Sequence, residues 1–140
     1  MPNLPVLVIG GGPAGLEAAK GIADLGYNSI LVDKADFLGG NPIFADYAAL
    51  TPDMRNAEEA MDEMIAKVMV NPLVDVRLNT TVAASEGDAP HINVTLKNGK
   101  GEEKVDVGSI VVATGFQHFD PGKETQMYGY YEFDDVITLV

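Results

Sequence analysis

The stretch from residue 5 to residue 33 leaves this chain few folds to choose from. Residues 5–9, Pro-Val-Leu-Val-Ile, form an unbroken apolar run that ends in Gly10, Gly11 and Gly12. A run with no polar alternation suits a strand buried on both faces, as in a parallel sheet. Residues 13–25 follow with Ala14, Leu16, Ala18, Ala19, Ile22, Ala23 and Leu25, a helical pattern that Gly26 is placed to end. Residues 29–33, Ser-Ile-Leu-Val-Asp, read as a second buried strand. Strand, helix and strand make a βαβ unit of about the ~30 residues expected of one.

The turn between the first strand and the helix, Gly10-Gly11-Gly12-Pro13-Ala14-Gly15, fits G-x-G-x-x-G. In that pattern the first glycine allows the tight turn, the second lets a pyrophosphate approach the backbone, and the third lets helix and strand pack closely. The helix start then offers free N–H groups and the positive end of its dipole to phosphates. Alone the string is a weak signal; the buried strand before it and the helix after it strengthen it. Asp33 closes the second strand 23 positions after Gly10. A carboxylate there accepts hydrogen bonds from both ribose hydroxyls and repels a 2′-phosphate. Lys34, beside it, stands near the adenosine or points into solvent.

Residues 34–51 read as a long loop carrying Gly39, Gly40 and Pro42. Loops of that length in compact domains are uncommon and often functional. Thr51-Pro52 looks like a helix start, a hydroxyl cap followed by proline, with Met54, Ala57, Met61, Met64, Ile65 and Val68 on one stripe. Asn71-Pro72 ends that helix, and residues 73–78 and 80–84 follow as short strands. Ile92, Val94 and Leu96 alternate with polar residues, Asn98-Gly99 turns, and Val105 and Val107 resume, which predicts a hairpin. Residues 109–113, Ser-Ile-Val-Val-Ala, return to the continuous apolar type and end at Thr114-Gly115. The predicted class is therefore α/β: a Rossmann-like parallel sheet with flanking helices and an inserted antiparallel hairpin or meander.

Nine Lys and Arg against 21 Asp and Glu give a net charge of −12, which disfavours nucleic acid. An anionic ligand must then be held by local backbone dipoles. The absence of cysteine excludes disulfides and thiolate metal sites and fits a reducing cytoplasm. No apolar run approaches the ~18 residues of a membrane span, and no basic region precedes a signal-like core. His91 and His118 are far apart with no metal-ligand pattern, so both read as surface residues. No catalytic residue and no metal ligand is expected.

Three motifs in order carry a resemblance: residues 8–15, Val-Ile-Gly-Gly-Gly-Pro-Ala-Gly; residues 31–34, Leu-Val-Asp-Lys, with Leu38-Gly39-Gly40; and residues 110–115, Ile-Val-Val-Ala-Thr-Gly. Together they resemble the two-dinucleotide-binding flavoprotein superfamily, whose N-terminal domain holds FAD. The tail narrows the likeness. Ala113-Thr-Gly-Phe116, Phe119-Asp-Pro121, Tyr128-Gly-Tyr130 and Val136-Ile-Thr138 look like the matching run in the A-type flavoprotein component of heterodisulfide reductase. They look equally like that of the flavoprotein subunits in quinone-interacting membrane-bound oxidoreductase complexes.

The resemblance implies an FAD-binding domain over residues 1–118, with residues 119–140 beginning the connection to a further domain. It also implies that Gly10, Gly11, Gly12, Pro13, Ala14 and Gly15 hold the pyrophosphate and Asp33 the ribose, with Lys34 nearby. Gly39 and Gly40 would pass along the ribityl chain, the backbone near Val82 would read the adenine edge, and Ala113, Thr114 and Gly115 would close the site. The implied work is electron transfer through FAD, with iron–sulfur subunits as partners and a cytoplasmic location beside a membrane-bound complex. An FAD domain of an NAD(P)H-linked flavin or disulfide-type reductase, and an interaction module that has lost its cofactor, are the alternatives. Many members carry cysteines after the paired glycines; residues 41–55 here have none, so this segment can neither ligate a cluster nor supply a redox dithiol.

Overall fold

The computed structural model describes residues 4–123 and 128–138. Residues 1–3 of the expected first domain, and 124–127 and 139–140 of the expected connector, lie outside the described residues. The architecture is α/β, as the residue pattern predicts. Strands β1 (Val6–Ile9), β2 (Ser29–Val32), β5 (Val74–Arg77) and β9 (Ser109–Val112) form a parallel sheet in the order β5-β2-β1-β9. Helix α1 (Pro13–Asp24) joins β1 to β2, and α3 (Ala57–Met69) precedes β5.

Alternate residues of the sheet feed two separate cores, because successive side chains point to opposite faces. Val8 and Leu31 pack with Leu16 and Ala19 of α1 and Met61 and Val68 of α3. Leu7, Ile30 and Val32 point the other way and pack against Val94, Leu96 and Val107. Those three belong to an antiparallel meander of β6 (Thr81–Asp88), β7 (His91–Asn98) and β8 (Gly101–Val107). With both faces covered, the central strands β1 and β2 lack polar alternation, whereas β5, at the sheet edge, reads Val-Asp-Val-Arg.

Three expectations change. The helix does not start at Thr51-Pro52. Residues Ala49–Leu50 (β3) and Arg55–Asn56 (β4) pair as a small hairpin, and α3 begins at Ala57. Asn56 takes the capping role: its side-chain oxygen accepts the Glu59 N–H at 3.0 Å, and Glu58 and Glu59 sit in the first turn. Met54 therefore leaves the buried stripe and stands exposed in the β3–β4 turn with φ +53°. Next, the long loop holds a short helix, α2 (Asn41–Phe44). Last, the strand expected at residues 80–84 runs to Asp88 and adds a third strand to the hairpin. Most of β6 is exposed, so its sequence carries no apolar alternation to reveal its length. Among the described residues no helix is long and apolar enough to cross a membrane.

Candidate functional site

The sheet order brings three sequence-distant turns together at the carboxyl ends of the strands. β2, β1 and β9 end side by side, so Asp33, Gly10 and Ala113 emerge next to one another. Gly10 N–H donates to the Val32 carbonyl and Ala113 N–H to the Ile9 carbonyl, each at 2.8 Å. In open α/β sheets ligands bind outside this edge, where the chain switches from one side of the first strand to the other. Here that switch lies between β1 and β9.

The glycines of the first turn divide by what the fold demands of them. Gly10 has φ +109°, and a methyl there would overlap the Ala113 carbonyl. A methyl on Gly15 would overlap the Gly10 carbonyl, so this glycine sets how closely α1 packs on β1. Gly12 is different. It has φ −77° and ψ −174°, open to any residue, and an added Cβ would meet only Gly40 Cα, at an ordinary 3.7 Å. Protein packing does not require glycine there.

Gly12 is the N-cap of α1, no side chain caps it, and the first turn holds no acid. The N–H groups of Ala14 and Gly15 thus lack an acceptor among the described residues, and the positive end of the helix dipole meets open space. A second glycine turn lies against the first. Gly39 N–H donates to the Gly11 carbonyl at 2.8 Å, and Gly40, with φ +62° and ψ −145°, abuts Gly12.

Asp33 joins these turns. One carboxylate oxygen accepts the Gly11 N–H at 2.6 Å and the other accepts the Ala35 N–H at 2.8 Å. An ionised carboxylate offers about four lone-pair sites, so roughly two remain for other donors.

These groups line a cleft of about 1140 Å³, large even against the usual ~300–1,000 Å³ of small-molecule sites. Of the expected residues, Gly10, Gly12, Pro13, Ala14, Asp33, Lys34, Gly40, Ala113, Thr114 and Gly115 line it. Gly11, Gly15 and Gly39 lie buried immediately behind. Val82 is not among the lining residues: it pairs with Leu96 on β6, beside an irregularity in the strand. Although the chain is strongly acidic, the cleft's charged side chains are Asp33, Lys34 and Lys123. Lys123 pairs with Asp120 at 3.9 Å, and Lys34 has no ion pair among the described residues.

The far end brings together Asn41, Tyr47 and Phe116, to which the sequence pattern gives no role, and His118. Asn41 Nδ2 donates to the Phe116 carbonyl at 3.0 Å, tying α2 to the segment after β9. His118 is half-buried there, not a surface residue: its Nε2 lies 3.5 Å from the Tyr47 hydroxyl, and its ring sits edge-on to Phe116 at 5.1 Å. No periodicity marks Tyr47 or His118, because both stand on irregular backbone. The other histidine, His91, is exposed at the start of β7. Among the described residues no cluster of His, Cys, Asp or Glu could hold a metal ion.

Comparison with known proteins agrees with this geometry. The family model described as pyridine nucleotide-disulphide oxidoreductase matches residues 4–138. Cinnamate reductase of Clostridium sporogenes is 35% identical over 81 residues, 58% of this chain and 11% of that protein. A protein of Archaeoglobus profundus that is like the A-type component of heterodisulfide reductase is 33% identical over 92 residues, 66% of this chain and 13% of that protein. The chain thus spans a small part of the length of these relatives. Among solved structures, L-proline dehydrogenase from P. horikoshii superposes with a TM-score of 0.70 at 23% identity, over 80% of this chain and 22% of that one.

Proposed function

The chain belongs to the pyridine nucleotide-disulphide oxidoreductase family, and from that premise we propose that it is the FAD-holding part of an electron-transfer flavoprotein in a heterodisulfide-reductase-like complex. FAD is its cofactor. The observation that carries the reading is Gly12, a glycine that the protein's own packing does not need, at an uncapped helix start facing a large cleft. Room for a diphosphate against the backbone accounts for it. The Ala14 and Gly15 N–H groups and the α1 dipole hold that diphosphate, and Lys34 adds a positive charge. Asp33 takes the ribose hydroxyls with the lone pairs that its two backbone bonds leave free. Gly40 keeps the second turn clear of the same phosphates, and Ala113, Thr114 and Gly115 close the site from β9. Val82 does not line the cleft and is left out of this assignment.

Once bound, FAD supplies the electron chemistry, and the chain supplies position, exclusion of water and charge. The assignment to a heterodisulfide-reductase-like complex, with iron–sulfur subunits as electron partners, draws support from the tail residues 113–138 and from the Archaeoglobus relative. Residues 119–140 lead, in this reading, towards the next domain.

The test is a pair of rates. The FAD-loaded protein, reduced with dithionite under argon, is mixed with an oxidised iron–sulfur ferredoxin; separately, oxidised protein is mixed with NADH or NADPH. Fast electron transfer to the ferredoxin with no bleaching by either nicotinamide supports the reading. The reverse pattern replaces it with a nicotinamide-linked flavin reductase, and failure to take up FAD removes both.

A further inference from the structure

The order of strand ends also orders the cleft. Neighbouring strands lie about 4.8 Å apart, so the site runs from Asp33 after β2, past the glycine turn after β1, to the segment after β9. A dinucleotide whose ribose sits at Asp33 and whose diphosphate sits at Gly12 has one direction left to extend, towards Tyr47, Phe116 and His118. We propose that His118, steadied by Tyr47, is the side chain with which this protein contacts the isoalloxazine ring, and that it favours the reduced ring over the oxidised one. The inference rests on the FAD reading above.

The geometry suits such a role. The imidazole is half-buried between two aromatic side chains from separate segments, Tyr47 after α2 and Phe116 after β9. The Tyr47 hydroxyl engages Nε2, and Nδ1 has no partner among the described residues. A neutral imidazole carries one donor and one acceptor nitrogen, and a cationic one carries two donors. Reduction adds two electrons and one proton to the ring, leaving it with one net negative charge. A hydrogen-bond donor beside that charge holds the reduced form more tightly than the neutral oxidised form. Of the cleft-lining side chains at this end the other charged one is Lys123, which pairs with Asp120; Asp46, Glu58 and Asp62 lie on the far side of Tyr47, and His118 has no ion pair among the described residues. Asp33 and Lys34 stand at the opposite end, after β2.

The chain has two histidines, so its imidazole proton NMR signals give a direct reading, with His91 on the meander as internal control. ADP, which reaches only the Asp33 and Gly12 subsites, is expected to leave the His118 signal in place, and FAD to shift it; His91 stays still with both. In the FAD-loaded protein, His118→Phe is expected to weaken reduced against oxidised flavin by about tenfold, a midpoint about 30 mV more negative for a two-electron couple. His118→Gln, which keeps a donor, recovers most of that shift, and Tyr47→Phe moves it the same way by less. A His118 signal that ADP moves as far as FAD, or one that FAD leaves unmoved while ADP binding is intact, overturns this inference alone. An unchanged midpoint in both His118→Phe and Tyr47→Phe does the same. Binding of neither ligand overturns the FAD reading and this inference together.

Discussion

Replacing Gly12 by alanine adds one methyl at a point where the protein has room and the proposed ligand has none. The residue's φ and ψ are open to alanine, and the new Cβ meets Gly40 Cα at 3.7 Å. As an N-cap, alanine is worse than glycine by roughly 0.5–1 kcal/mol. Lost freedom of the unfolded chain offsets this by about 0.4–1 kcal/mol. The net change in stability is therefore within about 1 kcal/mol of zero. For the ligand the same methyl stands where a phosphate must approach, and overpacking of about 1–3 kcal/mol weakens FAD by a factor of roughly 5 to 150. Gly15→Ala is the contrast. Its Cβ overlaps backbone at Gly10, which can yield only by moving α1 off β1, so it loses about 3 kcal/mol or more of folding stability. The assays are urea unfolding without flavin and titration of FAD by its fluorescence. Wild-type FAD affinity in Gly12→Ala, or wild-type stability in Gly15→Ala, would refute the division of labour among these glycines.

Other substitutions have separable readouts. Asp33→Ala weakens FAD by about 1.5–3 kcal/mol for each lost charge-assisted bond, and it also destabilises the flavin-free chain by roughly 1–3 kcal/mol, because the buried Gly11 loses its acceptor; equal FAD affinity in calorimetry would remove Asp33 from the ribose. Asn56→Ala costs about 0.5–2 kcal/mol through loss of the α3 cap, whereas Thr51→Ala stays within about 0.5 kcal/mol; the opposite ranking in urea melts would restore the helix start to Thr51. Ser29 is buried at the start of β2 and its hydroxyl has no hydrogen-bond partner among the described residues. Ser29→Ala is therefore expected to raise stability by about 1 kcal/mol or more, and a lowered Tm would show that the hydroxyl is satisfied.

The parts legible in the sequence are those in which one physical demand acts on consecutive residues. Cover on both faces keeps the central strands β1 and β2 free of polar alternation, and backbone contact forces glycine at positions 10 and 15, so these are legible. Asp33 was legible because it closes a strand in register with that turn. The residue pattern puts the start of α3 at Thr51-Pro52, whereas the β3–β4 pairing carries the chain on to the Asn56 cap, and no local pattern reports a hairpin with two residues in each strand. The length of β6 is hidden because exposed strands carry no apolar alternation. Tyr47 and His118 are 71 positions apart and meet where Asn41 also hydrogen-bonds the backbone after β9. Such a long-range pairing of irregular segments leaves no trace in spacing.

A crystal structure of the protein soaked with FAD addresses the proposed site directly. Diphosphate oxygens within hydrogen-bonding distance of the Ala14 and Gly15 N–H groups, with ribose hydroxyls on Asp33, are the predicted result. Flavin density elsewhere on the surface, with the turn at Gly12 left empty, would contradict it.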